Sequence, residues 1–180
     1  MNQLKLNVFL ELFEKWNRSI NLSSASTRPE LQEHLDDCLH VIPVLEQIAP
    51  ARVLDVGSGG GFPVVIAAIC APTIEFVSLE PVHKKHAFLR TVTRELQLEN
   101  LEARAERLEE HDGRDYDAAM SRATFDIGEW LDKAADYVRP GGCVIGFEGQ
   151  LRPDLSNVER TSYVLANKQR AVVWRFKRST

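Results

Sequence analysis

A glycine-rich segment, DVGSGGGFP at residues 55–63, is the part of the chain best suited to hold a ligand. It lies between RVLDV, which is typical of a buried strand, and PVVIAAICA, which is typical of an apolar helix. Glycines at such a turn let the backbone bend sharply and approach a bound molecule closely. The spacing therefore predicts a cofactor-binding loop built on Asp55, Gly57, Gly59 and Gly61.

Two classes of cofactor loop compete for this segment. Dinucleotide-binding loops follow G-x-G-x-x-G, with glycine or alanine where this chain has Phe62, and a side chain of that size would obstruct the helix–strand packing and the pyrophosphate. The pattern D-x-G-x-G-x-G fits without exception and resembles the first motif of class I methyltransferases. That resemblance implies S-adenosylmethionine as cofactor, with the loop lining its methionine and ribose parts.

Carboxylates end the two strands predicted next. Glu80 closes EFVSLE, where its two oxygens could accept hydrogen bonds from both ribose hydroxyls of the cofactor. An acidic residue at a strand end is by itself often a solvated cap, but here it follows the glycine loop at the separation that a nucleoside site requires. Ala105 and Glu106, at the end of LEARA, are expected to border the adenine ring.

Two classes of methyl acceptor are disfavoured because the chain lacks the motifs of the enzymes that methylate them. After the fourth predicted strand it has Met120-Ser-Arg-Ala-Thr124, and not the Asn/Asp-Pro-Pro-Tyr/Phe of enzymes that methylate exocyclic amines. None of its three cysteines has the context of the nucleophile that methylates carbon-5 of cytosine. Displacement at a sulfonium needs alignment more than acid–base groups, so the residues alone leave the acceptor open.

The periodicity predicts alternating strands and helices and therefore an α/β fold with a mostly parallel sheet. Apolar residues from Leu4 to Trp16 have helical spacing, and a second helix is expected over residues 29–47, bent or interrupted at Pro43. A helix over 127–138 should end at Pro140-Gly141-Gly142, and TSYVLA and AVVWRF should form a terminal antiparallel hairpin. We expect an N-terminal helical cap, residues 1–49, on a class I methyltransferase Rossmann-like domain, residues 50–180.

Composition fits one globular unit: 180 residues, of which 44% are hydrophobic and 27% charged, with a net charge of −4. No apolar run is long enough to span a membrane. Cys38, Cys70 and Cys143 form no metal-binding or disulfide pattern, so we expect a cytoplasmic protein without a metal site. Residues 150–180 hold seven Lys and Arg against two acidic residues. This basic tail could contact phosphates, although a terminal hairpin with charged, solvated side chains explains it slightly better.

The chain as a whole resembles the glucose-inhibited division protein B family of bacterial 16S rRNA guanine-N7 methyltransferases. The matching segments run in order over nearly its whole length: KWNRSINLSS (15–24), EHLDD (33–37), LDVGSGGGFP (54–63), KKHAFLR (84–90), SRA (121–123) and the hairpin. The resemblance implies an enzyme acting on 16S rRNA or a small-subunit particle, with Arg122 of the SRA motif as catalytic residue. We also expect the protein to be a monomer. It implies cofactor contacts at Gly57, Phe62, Ala105, Glu106 and Arg122.

One residue departs from the family. After the fifth strand this chain has Glu148-Gly149 where the family usually has Lys-Gly, and we expect Glu148 and Arg122 to share one rim of the pocket. On this interpretation Glu148→Lys should tighten RNA binding. Three alternatives stay open at this point: methylation of a small molecule or protein, a cofactor-binding homologue without catalysis, and a nicotinamide dehydrogenase, which Phe62 disfavours.

Overall fold

The structure is a computed structural model, which describes residues 2–178 and contains one central sheet. Its seven strands are β1 (Arg52–Val56), β2 (Glu75–Leu79), β3 (Leu101–Arg104), β4 (Tyr116–Ser121), β5 (Val138–Glu148), β6 (Glu159–Leu165) and β7 (Lys168–Phe176). They form one sheet in the order β3-β2-β1-β4-β5-β7-β6. The first five are parallel, and β7 is antiparallel to both β5 and β6. The expected fold class is confirmed.

Six α-helices surround this sheet: α1 (Asn2–Ile20), α2 (Arg28–Leu39), α3 (Ile42–Ile48), α4 (Val64–Cys70), α5 (His83–Glu95) and α6 (Ile127–Lys133). The start of α2 is fixed by a capping box, in which Thr27 accepts from the Glu30 amide and the Glu30 carboxylate accepts from the Thr27 amide. The helix expected over 29–47 is interrupted at His40–Val41, just before Pro43, so three helices precede β1. No helix among the described residues is long and apolar enough to cross a membrane.

The expected helix over 127–138 is too long. The α-helix ends at Lys133, a short 3₁₀ turn covers Ala134–Asp136, and β5 has already begun at Val138. Pro140-Gly141-Gly142 therefore lies inside a strand and not at a helix end. The register between β4 and β5 jumps here, and Gly141, with a φ of 73°, absorbs the irregularity while its amide donates to the Lys177 carbonyl at 3.0 Å.

The predicted hairpin is confirmed, with its turn at Ala166 and Asn167. Both residues have a positive φ, 48° and 59°, which is the backbone of a two-residue type I′ turn and matches the twist of the strands. Pairing of β7 with β5 then attaches the hairpin to the edge of the parallel sheet.

Helix α1 packs against α4 and α5 on one face of the sheet. Leu6, Phe9, Leu10 and Phe13 are buried in the same apolar cluster as the residues of α4. Leu4 was expected on this stripe, but it is 70% exposed because it lies nearly opposite the buried face of the helix. Trp16 is at the edge of the stripe, half-buried, with its ring 5.7 Å from that of Phe88.

Phe13 is fully buried, as Phe9 is, so it should contribute more to stability than the half-buried Trp16. We expect Phe13→Ala to lower the free energy of unfolding by about 3–5 kcal/mol, the usual cost of an unfilled aromatic cavity, and Trp16→Ala to cost less. Urea unfolding measures both. Leu4→Ala is the control, with a change within about 0.5 kcal/mol. A larger loss for Trp16→Ala than for Phe13→Ala would contradict this packing.

Candidate functional site

A cleft of about 590 Å³ opens at the carboxyl ends of β1, β2 and β4. It is lined by the loop after β1, by Glu80, by residues 106–109, by Arg122, and by residues of the N-terminal helices and their connection. The lining residues contributed by those helices and that connection are Phe13, Leu22, Ser23 and His34. Of the residues singled out from the sequence, Gly57, Gly59, Phe62, Glu80, Glu106 and Arg122 line this one cleft.

Glycine is required in the loop for backbone and packing reasons together. Gly57 has a φ of 73° and Gly61 one of 87°, a region that other residues rarely adopt. A Cβ on Gly61 would also collide with Val65 of α4, and one on Gly60 would enter the ring of Phe13. The Gly57 amide donates to the Leu79 carbonyl at 2.9 Å, so the loop is tied to β2.

Glu80 holds the loop and faces the cleft with the same carboxylate. Its Oε2 accepts from the Gly59 amide at 2.7 Å and its Oε1 from the Val82 amide at 2.8 Å. Only 4% of the residue is exposed. Each carboxylate oxygen retains a further lone pair, so Glu80 can accept additional donors from a bound ligand.

Asp55 lies behind the loop and does not line the cleft. It is completely buried, its Oδ2 accepts from the Ser58 hydroxyl, and Ser58 in turn accepts from the Ser78 hydroxyl at 2.7 Å. Burial raises the pKa of the Asp55 carboxyl to about 7. Its Oδ1 has no hydrogen-bond partner among the described residues. Because Asp55 does not line the cleft, the fit of the site to a nucleoside cofactor depends on Glu80 and the glycine loop.

The packing of Phe62 shows why this loop tolerates a large residue at a position that is small in dinucleotide-binding loops. Its ring packs between Phe9 and Phe13, with centroids at 5.1 and 5.3 Å, and lies edge-on to His34 at 5.7 Å. The ring therefore joins the loop to the N-terminal helices and forms an apolar wall of the cleft. Burial lowers the pKa of His34 on the same wall.

Glu106 lines the cleft, whereas Ala105 is exposed and does not line it. The Glu106 carboxylate is held from behind by His111, whose Nδ1 is 2.7 Å from Oε1. The Nε2 of His111 is 2.9 Å from the hydroxyl of the buried Tyr116. Because a hydroxyl donates to one ring nitrogen, the other can donate to the carboxylate, and Glu106 keeps its second oxygen for the cleft.

Arg122 is where the structure departs most from the sequence interpretation. Its Nε donates to Asp37 of α2 at 2.8 Å, and its side chain is only 15% exposed. The expected shared rim with Glu148 is wrong, because the Glu148 side chain is fully buried and bound by both Nε and Nη2 of Arg160, at 2.8 and 2.9 Å. Glu148→Lys would bring two cations together inside the protein, so the reason to expect tighter RNA binding disappears.

Residues on α2 and on the connection before it lie near the cleft but were not among the predicted site residues. Asp37, on α2, is buried, and His34, on the same helix, lines the cleft. The EHLDD segment was the available signal. Asn17 donates to the Ala25 carbonyl and accepts from the Ser23 amide, and so holds the connection between α1 and α2 that reaches the cleft. Within residues 2–178, no group of three or more acidic, His or Cys side chains could hold a metal ion.

Comparison with known sequences gives a match over nearly the entire chain. The family model described as rRNA small subunit methyltransferase G matches residues 2–179. A protein named ribosomal RNA small subunit methyltransferase G from Leptothrix cholodnii is 34% identical over 97% of this chain and 86% of its own. The protein of that name from Geobacter sp. strain M21 is 36% identical, over 81% and 68%.

Comparison with solved structures identifies the same fold at much lower identity. A methyltransferase from Geobacter sulfurreducens superposes with a TM-score of 0.66 at 14% identity, over 93% of this chain and 90% of its own. An O-methyltransferase from Bacillus cereus, solved in complex with SAH, gives 0.64 at 16% identity, over 96% and 90%. The fold is that of class I methyltransferases that use S-adenosylmethionine.

Glu80 provides the sharpest test of the cofactor site. We expect Glu80→Ala to weaken S-adenosylhomocysteine binding by about 1.5–3 kcal/mol, the range for a hydrogen bond to a charged group. Glu80→Gln should weaken it as well, because the new amide group would face the N–H of Gly59 or of Val82. Isothermal calorimetry measures both. Glu95→Ala, on the exposed end of α5, should bind like the parent. Unchanged affinity in Glu80→Ala would remove Glu80 from the site.

Proposed function

The chain belongs to the rRNA small subunit methyltransferase G family, and from that premise we propose that it transfers a methyl group from S-adenosylmethionine to N7 of a guanine in 16S rRNA. The observation that carries the proposal is that Arg122, Glu80 and the glycine loop line one cleft. The substrate is free 16S rRNA or a small-subunit particle in the cytoplasm. The protein acts as a monomer, with residues 1–49 as cap and 50–180 as the methyltransferase domain.

The proposed methyl transfer requires little acid–base catalysis from the protein. S-adenosylmethionine supplies an electrophilic methyl on a sulfonium: the N7 lone pair forms the new C–N bond, the C–S bond breaks, and its electron pair stays on sulfur as a thioether. Guanine N7 carries no proton at neutral pH, so no general base is required. What remains for the protein is to hold both reactants in line and to keep them from moving apart, which is the main source of catalysis in such a step.

The residues of this chain are suited to those tasks. Glu80 can accept from ribose hydroxyls, and the loop amides approach the ligand without side chains in between. Glu106 borders the far end of the cleft, where the adenine ring is proposed to lie. Arg122 is always charged and presents a planar fork of donors to the cleft, suited to a phosphate, a carboxylate or the edge of a base.

Five of the seven cations of the basic tail are bound within the protein, so the tail is not assigned the main RNA contacts of this proposal. Most of its cations are already bound: Arg152 by Asp126 and Asp154, Arg160 by Glu148, Arg170 by Asp37 and Glu33, Arg175 by Asp132, and Lys177 by the Val138 carbonyl. Lys84 and Lys85, at the start of α5, have no acidic partner within residues 2–178, and Lys85 lines the cleft. These two lysines are the proposed phosphate contacts.

Nucleoside analysis by mass spectrometry tests the proposed activity. Incubation of unmethylated 16S rRNA, free or in small-subunit particles, with the protein and S-adenosylmethionine should yield 7-methylguanosine. Arg122→Ala should lower the rate by about a hundredfold or more, the scale for losing one charged donor at a reacting centre, with the fold retained by circular dichroism. Arg94→Ala, an exposed arginine that pairs only with Glu95, is the matched control and should be fully active. Full activity in Arg122→Ala, or methylation of a small molecule or protein instead, would contradict the proposal.

Salt dependence tests the RNA-facing side of the protein. Each of Lys84→Ala and Lys85→Ala should reduce the slope of log affinity against log salt by about 0.7–0.9, the value for one lost phosphate contact. RNA-binding titrations at several salt concentrations measure this slope. Arg139→Ala is the control, since Arg139 pairs with Asp117 beside the start of β1, at the opposite end of the strands. A slope that falls for Arg139→Ala and not for the lysine variants would place the RNA on another face.

A further inference from the structure

A buried carboxylate connects three separate parts of the fold behind the cleft. Asp37, on α2, is 4% exposed and accepts hydrogen bonds from Arg122 after β4, from Tyr163 on β6 and from Arg170 on β7. The donor–acceptor distances are 2.8, 2.9 and 3.0 Å. A buried carboxylate with this number of donors is strongly held in one orientation, because losing any of them would leave a charge uncompensated in a poorly solvated place.

The two oxygens of Asp37 have different tasks. Oδ2 accepts only from Arg122, whereas Oδ1 accepts from Tyr163 and Arg170. Oδ1 therefore anchors the carboxylate to the hairpin, and Oδ2 presents a fixed acceptor to the arginine. The anchor is itself supported: Tyr163 stacks on His40 with centroids 3.6 Å apart, and the Nη2 of Arg170 donates to Glu33 at 3.0 Å.

The hydrogen bond from Arg122 to Asp37 does not use the two terminal nitrogens of the guanidinium group. Asp37 takes the Nε, and the two terminal nitrogens have no hydrogen-bond partner within residues 2–178, although Arg122 lines the cleft. A bond at Nε restricts the orientation of the guanidinium group, because the group is rigid and its five N–H bonds keep a constant geometry. Asp37 thereby restricts where the two terminal nitrogens point.

We propose that Asp37 is a positioning residue for methyl transfer, which aims the terminal nitrogens of Arg122 into the cleft and makes the reaction rate depend on the C-terminal hairpin through Tyr163 and Arg170. This proposal rests on the proposed function of Arg122. Asp37 touches neither substrate nor cofactor; it acts by restricting an arginine that would otherwise sample many rotamers. Misplacement of such a group by about 1 Å can cost a factor of about a hundred in rate.

The test compares Asp37→Asn with a control, Asp36→Asn. Asp36 is the neighbouring residue on the same helix, and its carboxylate accepts a hydrogen bond from Gln32. The amide that Asp37→Asn introduces can keep an oxygen toward Tyr163 and Arg170 but then places an N–H group against the Nε of Arg122. We expect Asp37→Asn to lower kcat by about tenfold or more, within the range that misplacement allows, with S-adenosylhomocysteine affinity and the KM for RNA within about twofold. Asp36→Asn should leave all three unchanged.

A second pair of variants separates positioning from a general structural role. Arg122→Lys removes the guanidinium that Asp37 aims, so adding Asp37→Asn to it should cause no further loss in single-turnover rate. Tyr163→Phe, which deletes one hydroxyl of the anchor, should lower kcat by less than Asp37→Asn does and serves if Asp37→Asn does not fold. An unchanged kcat in Asp37→Asn overturns the proposal; if that variant does not fold, an unchanged kcat in Tyr163→Phe does so. The proposal is also overturned if Asp37→Asn lowers the rate of the Arg122→Lys variant by the same factor as that of the parent. Full activity in Arg122→Ala would instead overturn the proposed function.

Discussion

The reversal of strand order at β1 is the constraint on which the rest of the structure depends. The chain builds β2 and β3 on one side of β1 and then crosses to β4 and β5 on the other. The connections that leave β1 and β4 therefore run in opposite directions and leave a crevice at their carboxyl ends, where open α/β sheets place their ligands. The glycine loop, Glu80 and Arg122 all follow strands that end at this crevice.

Two unlike contacts close the crevice from the side of the N-terminal helices. At the loop the contact is apolar, with Phe62 packed against Phe9 and Phe13, and it tolerates small shifts because dispersion has little direction. At Arg122 the contact is ionic and directional, through Asp37. The first holds the cap on the domain, and the second sets the position of one guanidinium group. The hairpin, far along the chain, contributes to the second contact only.

The parts of this arrangement that could be predicted from the sequence are those encoded locally. The turn between β1 and α4 needs glycines at particular positions, and Glu80 follows the next strand, so the loop and Glu80 could be predicted as a candidate cofactor site from spacing and residue type. The pairing of Arg122 with Asp37 joins residues 85 positions apart, and local patterns carry no information about that choice. Glu148 was misjudged for the same reason, since its burial depends on Arg160 from another strand. Pro140-Gly-Gly is typical of a helix end, yet a bulge lets β5 include it.

We infer that this loop and Glu80 form a site for an S-adenosyl cofactor and not for a dinucleotide. Calorimetric titration of the purified protein with S-adenosylhomocysteine and, separately, with NAD tests it most directly. The geometry predicts one S-adenosylhomocysteine site per chain and no detectable heat from NAD at the same concentrations, since Phe62 occupies the position that a pyrophosphate loop keeps small. Saturable binding of NAD, or none of S-adenosylhomocysteine, would contradict that claim.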